Sequence, residues 1–289
     1  MFSYFSKKFF LQLAGLFSAI VLLVGISFFQ FSKESNALEV IFFDIGQGDG
    51  ILIKTPTHQK ILIDGGPDNK IIYKIGQSLP FYEKKIDLMI LTHPHADHLT
   101  GLIEVLRRYE VKKILSTGVL HTTPDYLEWL EEIKERGVPM EIAKAGQVFN
   151  FGDVKLEILY PSQNFSGERV ENLNNTSIVS KLTFGSTSFL LAGDAEAEVE
   201  EQLIAAGVDL KADVLKVGHH GSKDATSQEF LDKVSPQVAV IQVGAKNKYG
   251  HPSRQTISRL ERAGVQIFRN DLDGDVKMVS DGVEIEIKE

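Results

Sequence analysis

Leu88-Met-Ile-Leu91-Thr-His93-Pro-His95-Ala-Asp97-His98 sets an apolar run of buried-strand length directly against three histidines and an aspartate. At an extended strand end, His93 and His95 point the same way, while Asp97 and His98 lie where the chain turns into a helix. The result is two adjacent groups of ligands, an arrangement suited to two divalent ions a few ångströms apart. Neutral imidazole with carboxylate suits Zn2+ or Mn2+. A helix cap would account for Asp97 but not for the histidines around it.

Two more histidine stretches stand in the same relation to apolar runs. Gly218-His219-His220-Gly221-Ser222 follows Asp213-Val-Leu-Lys-Val217, and Tyr249-Gly250-His251-Pro252 follows Val238-Ala-Val-Ile-Gln-Val243. Six of the eight histidines thus sit at predicted strand ends, and His58 and His121 read as ordinary loop residues. Leu190-Leu-Ala-Gly193-Asp194 is a buried-looking strand ending in a carboxylate that could bridge two cations. The chain contains no cysteine, which excludes thiolate catalysis, zinc-thiolate sites and iron–sulfur clusters. With 289 residues, 43% hydrophobic and 24% charged, it is a globular chain of one or two domains. A net charge of −8 argues against a broadly basic surface coating nucleic acid. Between Lys211 and Arg254, however, seven Lys or Arg face four Asp or Glu, a local excess of positive charge beside the histidines.

Working outward, Leu38–Asp44, Gly50–Thr55 and Lys60–Asp64 read as an opening meander. Strand and helix then alternate: a strand over Ile86–Leu91, a helix over Leu102–Tyr109, a strand over Lys113–Leu115 and a helix over Thr123–Arg136, with Trp129 in the core. Strands follow at Gln147–Tyr160, Thr176–Gly185, Thr187–Leu191, Asp213–Val217 and Val238–Val243, with helices at Glu196–Ala206, Ser227–Val234 and Ser253–Ala263. Val276–Val279 and Val283–Ile287 read as a hairpin with Asp281-Gly282 as a two-residue turn, and Pro161–Asn175 as a mobile insertion. The pattern predicts one α/β domain over residues 38–289, with sheets in the middle and helices outside.

Residues 1–37 differ in kind. They hold eight of the eighteen phenylalanines, and residues 9–32 carry no charge. As a helix, Phe9 to Phe29 would span about 30 Å, the thickness of a bilayer core. Lys7 and Lys8 ahead of it predict a cytoplasmic N-terminus, which places the rest of the chain outside. This expectation is a single-pass membrane anchor followed by the linker Phe31–Ala37. Ser35-Asn36-Ala37 would suit cleavage of a signal peptide and a secreted product, but the uncharged run exceeds a signal core of about 7–15 residues.

Taken together, these motifs resemble the metallo-β-lactamase fold, a four-layer αββα sandwich, and within it the hydrolase domain of ComEC-type DNA-uptake proteins. Asp64 in Leu62-Ile-Asp-Gly-Gly66 matches the family's opening aspartate, His93 to His98 its metal motif and Asp194 its bridging aspartate. The ComEC-like branch is matched by Phe43-Asp44-Ile-Gly-Gln47-Gly-Asp49-Gly, Asn174-Asn175-Thr-Ser177, Gly-His219-His220-Gly-Ser222 and Asn247-Lys-Tyr249-Gly-His251-Pro. The first of these, with Asp44, Gln47 and Asp49, is followed by a strand instead of a helix, so it is not a dinucleotide loop. Many fold members carry a third histidine where this chain has Asn174 or Asn175, which implies a first metal site that is weak or filled only with substrate present. A ComEC-type protein also has a many-helix channel, which one hydrophobic segment cannot form, so a separate channel or uptake protein is a possible partner.

The resemblance and the ligand chemistry imply a metal-dependent hydrolase with one or two divalent ions, acting on DNA or another phosphodiester through a metal-activated hydroxide. His93, His95, Asp97, His98 and Asp194 are the expected ligands, joined by His219, and Asp97 also orients the nucleophile. His219 or His220 is a metal ligand or the proton donor to the leaving oxygen, and His251 the remaining ligand or a substrate contact. Asn175, Ser222, Lys223 and Lys248 are the other expected substrate contacts. A lactonase or esterase would use the same hydroxide, and a non-catalytic metal- and DNA-binding module is the second class of reading.

Overall fold

The computed structural model describes residue 9, residues 11–18 and residues 36–288. The chain divides between Ala37 and Leu38. In the first unit, residues 11–18 are helical and exposed. Most of the expected anchor Phe9–Phe29 and of the linker Phe31–Ala37 lies outside the described residues. Among the described residues, no helix is long and apolar enough to cross a membrane.

In the second unit, two mixed sheets share one apolar interior. The first runs in the order Ile285–Lys288, Val276–Ser280, Leu38–Phe42, Ile51–Lys54, Lys60–Ile63, Leu88–Leu91, Ile114–Ser116, Met140–Ile142. Its neighbours are antiparallel as far as Lys60–Ile63 and parallel thereafter. The second runs Gln266–Arg269, Val238–Ile241, Val214–Lys216, Thr187–Leu191, Val179–Phe184, Val154–Tyr160, Val148–Phe151, parallel over its first four strands and antiparallel over the rest.

Period-2 alternation decides which side chains meet. Ile61, Ile63, Leu88 and Ile90 of the first sheet join Leu156, Ile158, Phe189 and Val214 of the second in the middle layer. Leu62, Met89 and Leu91 face the other way, onto helices Lys70–Ser78, Ala96–Arg108 and Pro124–Arg136, where Trp129 is fully buried. Leu190, Leu215 and Ile241 face helices Ala197–Ala205, Gln228–Val234 and Arg254–Arg262. The layering is helix, sheet, sheet, helix.

Several elements differ from the sequence expectation for identifiable reasons. The helix expected at Leu102 begins at Ala96, because His95 is its N-cap residue and Asp97 lies in its first turn. That first turn is polar, so the apolar periodicity starts only at Leu99. Gln147–Tyr160 is a hairpin broken at Gly152, whose φ of 64° needs a residue without a β-carbon. The C-terminal turn spans Asp281–Glu284, since Ser280 pairs with Ile285. Asp281 Oδ1 accepts from the backbone N–H of Val283 and of Glu284, at 3.0 Å each, which builds the longer turn. Pro161–Asn175 is tied down by buried Phe165 and by a 3-10 turn at Leu173–Thr176. The helices Lys70–Ser78 and Asn270–Asp273 and the edge strands Met140–Ile142 and Gln266–Arg269 were not expected from the sequence.

One close approach ties this packing to the site. Gly101, on helix Ala96–Arg108, lies so near the turn after strand Lys60–Ile63 that a β-carbon there would sit 2.0 Å from the Gly65 carbonyl oxygen. Gly65 N–H donates to His98 O at 2.7 Å in the same contact. Gly101→Ala must push the helix away, and the expected loss is about 1–3 kcal/mol in a denaturant melt, the usual range for overpacking. An unchanged midpoint would show that the helix and turn are free to separate.

Candidate metal centre

The carboxyl ends of the parallel strands in both sheets point to one place, the usual position for a ligand in an open α/β sheet. Lys60–Ile63 delivers Asp64, and Leu88–Leu91 delivers Thr92 to His98. From the second sheet, Thr187–Leu191 delivers Asp194 and Val214–Lys216 delivers Lys216, His219 and His220. Asp64, His219 and His220 are non-glycine residues with left-handed backbones, at φ 57°, 43° and 52°. Such strain persists where the surroundings enforce it, and here it turns these side chains sharply off the strand ends.

Asp194 is the hub. Its Oδ2 lies 3.2 Å from His98 Nε2, 3.2 Å from His220 Nε2 and 3.9 Å from His93 Nε2. Asp97 Oδ2 lies 3.4 Å from His220 Nε2, so Asp97, His98 and His220 form one compact donor set. His93, His98 and Asp194 form another. His95 Nδ1 is 3.0 Å from His93 Nε2 at the more open side. The far nitrogens of the rings are occupied. His98 Nδ1 donates to Asp64 Oδ2 at 2.8 Å, and Asp64 is itself held by Thr92 N–H at 2.8 Å and Thr92 Oγ1–H at 2.7 Å. His220 Nδ1 donates to Gln242 O at 2.9 Å, and Gln242 Nε2 reaches across to Gly50 O at 3.0 Å. These bonds fix each ring with Nε2 turned into the centre.

Beneath the hub lies a lysine that is 1% exposed. Lys216 Nζ donates to Gly193 O at 2.7 Å, contacts Asp49 Oδ2 and lies 3.6 Å from Asp194 Oδ1. Asp49 Oδ1 is 3.4 Å from His220 Nδ1. Asp49 therefore belongs to this centre, whereas Asp44 and Gln47 of the same motif hold loops: Asp44 Oδ1 accepts from Gly46 N–H, and Gln47 Oε1 from Gly244 N–H.

The donors fit a divalent cation. Among the described residues, Asp49 Oδ1, His98 Nε2, Asp194 Oδ1 and His220 Nε2 are buried polar atoms that make no hydrogen bond. Leaving four such atoms unsatisfied is costly, and a bound cation would satisfy the donors that face one another. The electrostatics agree. Burial alone would push His98 and His220 down, but Asp194 above all holds both well above the ordinary imidazole value. Burial raises Asp194, yet His220 and His98 overcome it and hold the carboxyl well below its usual range. His93, buried beside His98, is pushed well down. Carboxylates and imidazoles thus oppose the cost of burial for one another at this point.

The outer residues are placed differently from expectation. His219 was the expected ligand of its pair, but the strained turn sends His220 into the donor set instead. His219 Nδ1 lies 3.1 Å from Glu196 Oε1, and Asn174 Nδ2 is 2.8 Å from the same oxygen. That contact with His219 holds the Glu196 carboxyl down at about 2. Ser222, expected against substrate, is buried and its Oγ accepts from Asp224 N–H. Asn175 Nδ2 donates to Glu198 Oε2 at 2.9 Å, beside exposed Lys223. The His251 ring stands 5.3 Å from His219, and Lys248 is exposed on the loop before it. His121 packs on Tyr126, outside the donor set. Sequence reasoning missed Glu196, Gln242 and Lys216. Of these only Lys216 left a trace, a lone charge inside Val-Leu-Lys-Val.

A family profile described as the metallo-beta-lactamase superfamily matches residues 44–245. The ComE operon protein 3 of Bacillus subtilis (strain 168) is 32% identical over 84% of this chain and 33% of its own length. The competence protein ComA of Neisseria gonorrhoeae is 29% identical over 89% of this chain and 34% of its own. The chain thus spans about a third of the length of these relatives. Among solved structures, the metallo-beta-lactamase fold protein YhfI from Bacillus subtilis superposes with a TM-score of 0.56 at 10% identity, over 83% of this chain and 99% of that one.

Proposed function

The chain belongs to the metallo-β-lactamase superfamily, and from that premise we propose that it hydrolyses phosphodiesters, with DNA or a nucleotide as substrate. The observation that carries the reading is the convergence of Asp97, His98, Asp194 and His220 from two sheets on one point, with orphaned donor atoms facing each other. Divalent ions at this point, Zn2+ or Mn2+, would lower the pKa of water and neutralise charge on phosphoryl oxygens.

The protein's own residues do the rest. Asp97, His98, His220 and Asp194 would hold one ion, and His93 and His95 with Asp194 a second, weaker one, since the stretch where many members of the fold carry a third histidine reads Asn174-Asn175 here. Asp64 and the Gln242 carbonyl keep the Nε2 atoms aimed inward. Asp97 would orient the attacking water, and His219, which contacts Glu196, would give a proton to the leaving oxygen. Protons and a cation compete for the same imidazole nitrogens, and Asp194 above all shifts His98 and His220 toward the protonated form, so loading of the site should weaken as pH falls.

A phosphodiester is favoured over a lactone by two things: the relatives named for competence, and the Lys223 and Lys248 cations near the rim. The same reading makes the protein exported and held at the membrane by Phe9–Phe29, with the hydrolase domain outside and a separate channel or uptake protein as partner. The expected result is hydrolysis of bis-p-nitrophenyl phosphate and of DNA that a chelator abolishes and Mn2+ or Zn2+ restores. Full activity with metal content shown to be nil would sink the mechanism, and hydrolysis of lactones alone would make the protein an esterase.

A further inference from the structure

The loop Gly244–His251 presents a feature that metal chemistry does not use. Asn247 clips it into a fixed shape: Oδ1 accepts from Tyr249 N–H at 3.1 Å and His251 N–H at 3.0 Å, and Nδ2 donates to Gly244 O at 3.0 Å and His251 O at 2.6 Å. On that clip Tyr249 is 57% exposed, a large aromatic residue held out in solvent. Its ring is stacked on His251, with 14° between the planes and 5.9 Å between the centroids. His251 in turn stands 5.3 Å from His219 and 6.5 Å from His220, whose Nε2 lies in the donor set. Aromatic rings therefore lead from solvent to the metal centre in steps of one ring each. Lys248 Nζ lies 5.2 Å over the Tyr249 ring, so the outermost step carries a cation as well.

We infer that Tyr249 and His251 form a stacking subsite for an unpaired nucleobase next to the scissile phosphodiester, with Lys248 meeting the backbone charge of the same strand. This rests on the phosphodiesterase reading and narrows its substrate to nucleic acid with a single-stranded stretch. An exposed ring held on a clipped loop and stacked on His251 is suited to take another flat ring, and every base has such a face whatever its sequence. In a duplex both faces of a base are covered by its neighbours, so only an unstacked strand can use the step. A bare phosphate would need only the lysine.

The test compares a fluorescent single-stranded oligonucleotide with an abasic strand of the same length, on the full chain and its Y249A and Y249W variants. Anisotropy in chelator reads affinity, and cleavage with Mn2+ reads turnover. The wild-type protein is expected to favour the base-bearing strand by about 5- to 100-fold in affinity, the range for stacking one base. Y249A should bring that ratio close to one, and Y249W should keep it. Equal affinity for the two strands, or a ratio unchanged in Y249A, overturns the subsite and leaves the hydrolase reading standing. Base-dependent binding by a protein that cleaves neither strand overturns the hydrolase reading and leaves the subsite standing.

Discussion

Asp97→Asn is expected to lower phosphodiester hydrolysis by at least about 10²-fold, because it removes the charge that would hold an ion and orient the attacking water. The fold should survive. Asp97 lies in the first helical turn, with a side chain 27% exposed, and its near contact is His220 Nε2 at 3.4 Å, not a core packing partner. His220 and His98 hold its carboxyl below the ordinary range against the pull of burial, so the charge is present at neutral pH. Turnover of bis-p-nitrophenyl phosphate, metal content per chain and a circular dichroism melt should be measured together. An asparagine variant that is folded and as active as the parent would show that the reaction does not run through this donor set. A protein that only binds metal and DNA would have no turnover to lose.

Lys216→Met is expected to have the largest effect on stability, a loss of about 3–5 kcal/mol in chelator, the range for breaking a buried ion pair from one side. Methionine fills similar space, so the loss comes from Asp49 and Asp194 left facing each other without their ammonium. The sign of the metal effect makes the prediction specific: Mn2+ should restore the variant more than it stabilises the parent, because a cation replaces a cation. Denaturant melts of both proteins with and without metal measure this. A variant that is destabilised equally with and without metal would point to packing alone, and Lys216 would then have no electrostatic part in the centre.

How much of this was legible in the sequence depended on whether a residue's role was local. His93, His95, Asp97, His98 and Asp194 could be read because each follows an apolar run, and a strand end exposes what comes next. The choice between His219 and His220 could not be, since it turns on two consecutive left-handed residues that bring the second ring round to Asp194. Lys216 shares a strand face with Val214, which points into the middle layer. Period-2 reasoning sees a charge on one face of a strand and assigns it to solvent. Only the arrival of Asp49 from the other sheet, 167 positions away in the numbering from 49 to 216, gives that charge its partner. Asp49 was visible as part of a motif, but its destination was not. Helix Ala96–Arg108 was half legible because its first turn is spent on site residues, which interrupts the apolar pattern by which helices are recognised.

The two sheets meet mostly through aliphatic side chains, and contact of that kind is indifferent to direction. A sheet sliding by one residue, about 3.3 Å, would still set apolar side chains against apolar side chains, though it would lose the fitted packing of the layer. The polar seam at the end of the sandwich is not indifferent. His98 and Asp49 are held on the side of one sheet and Asp194 and Lys216 on that of the other, and each cross pair has a single alignment in which it meets. The polar end of the molecule thus acts as its index pin: the apolar layer makes the halves adhere, and the charged seam decides where they stop.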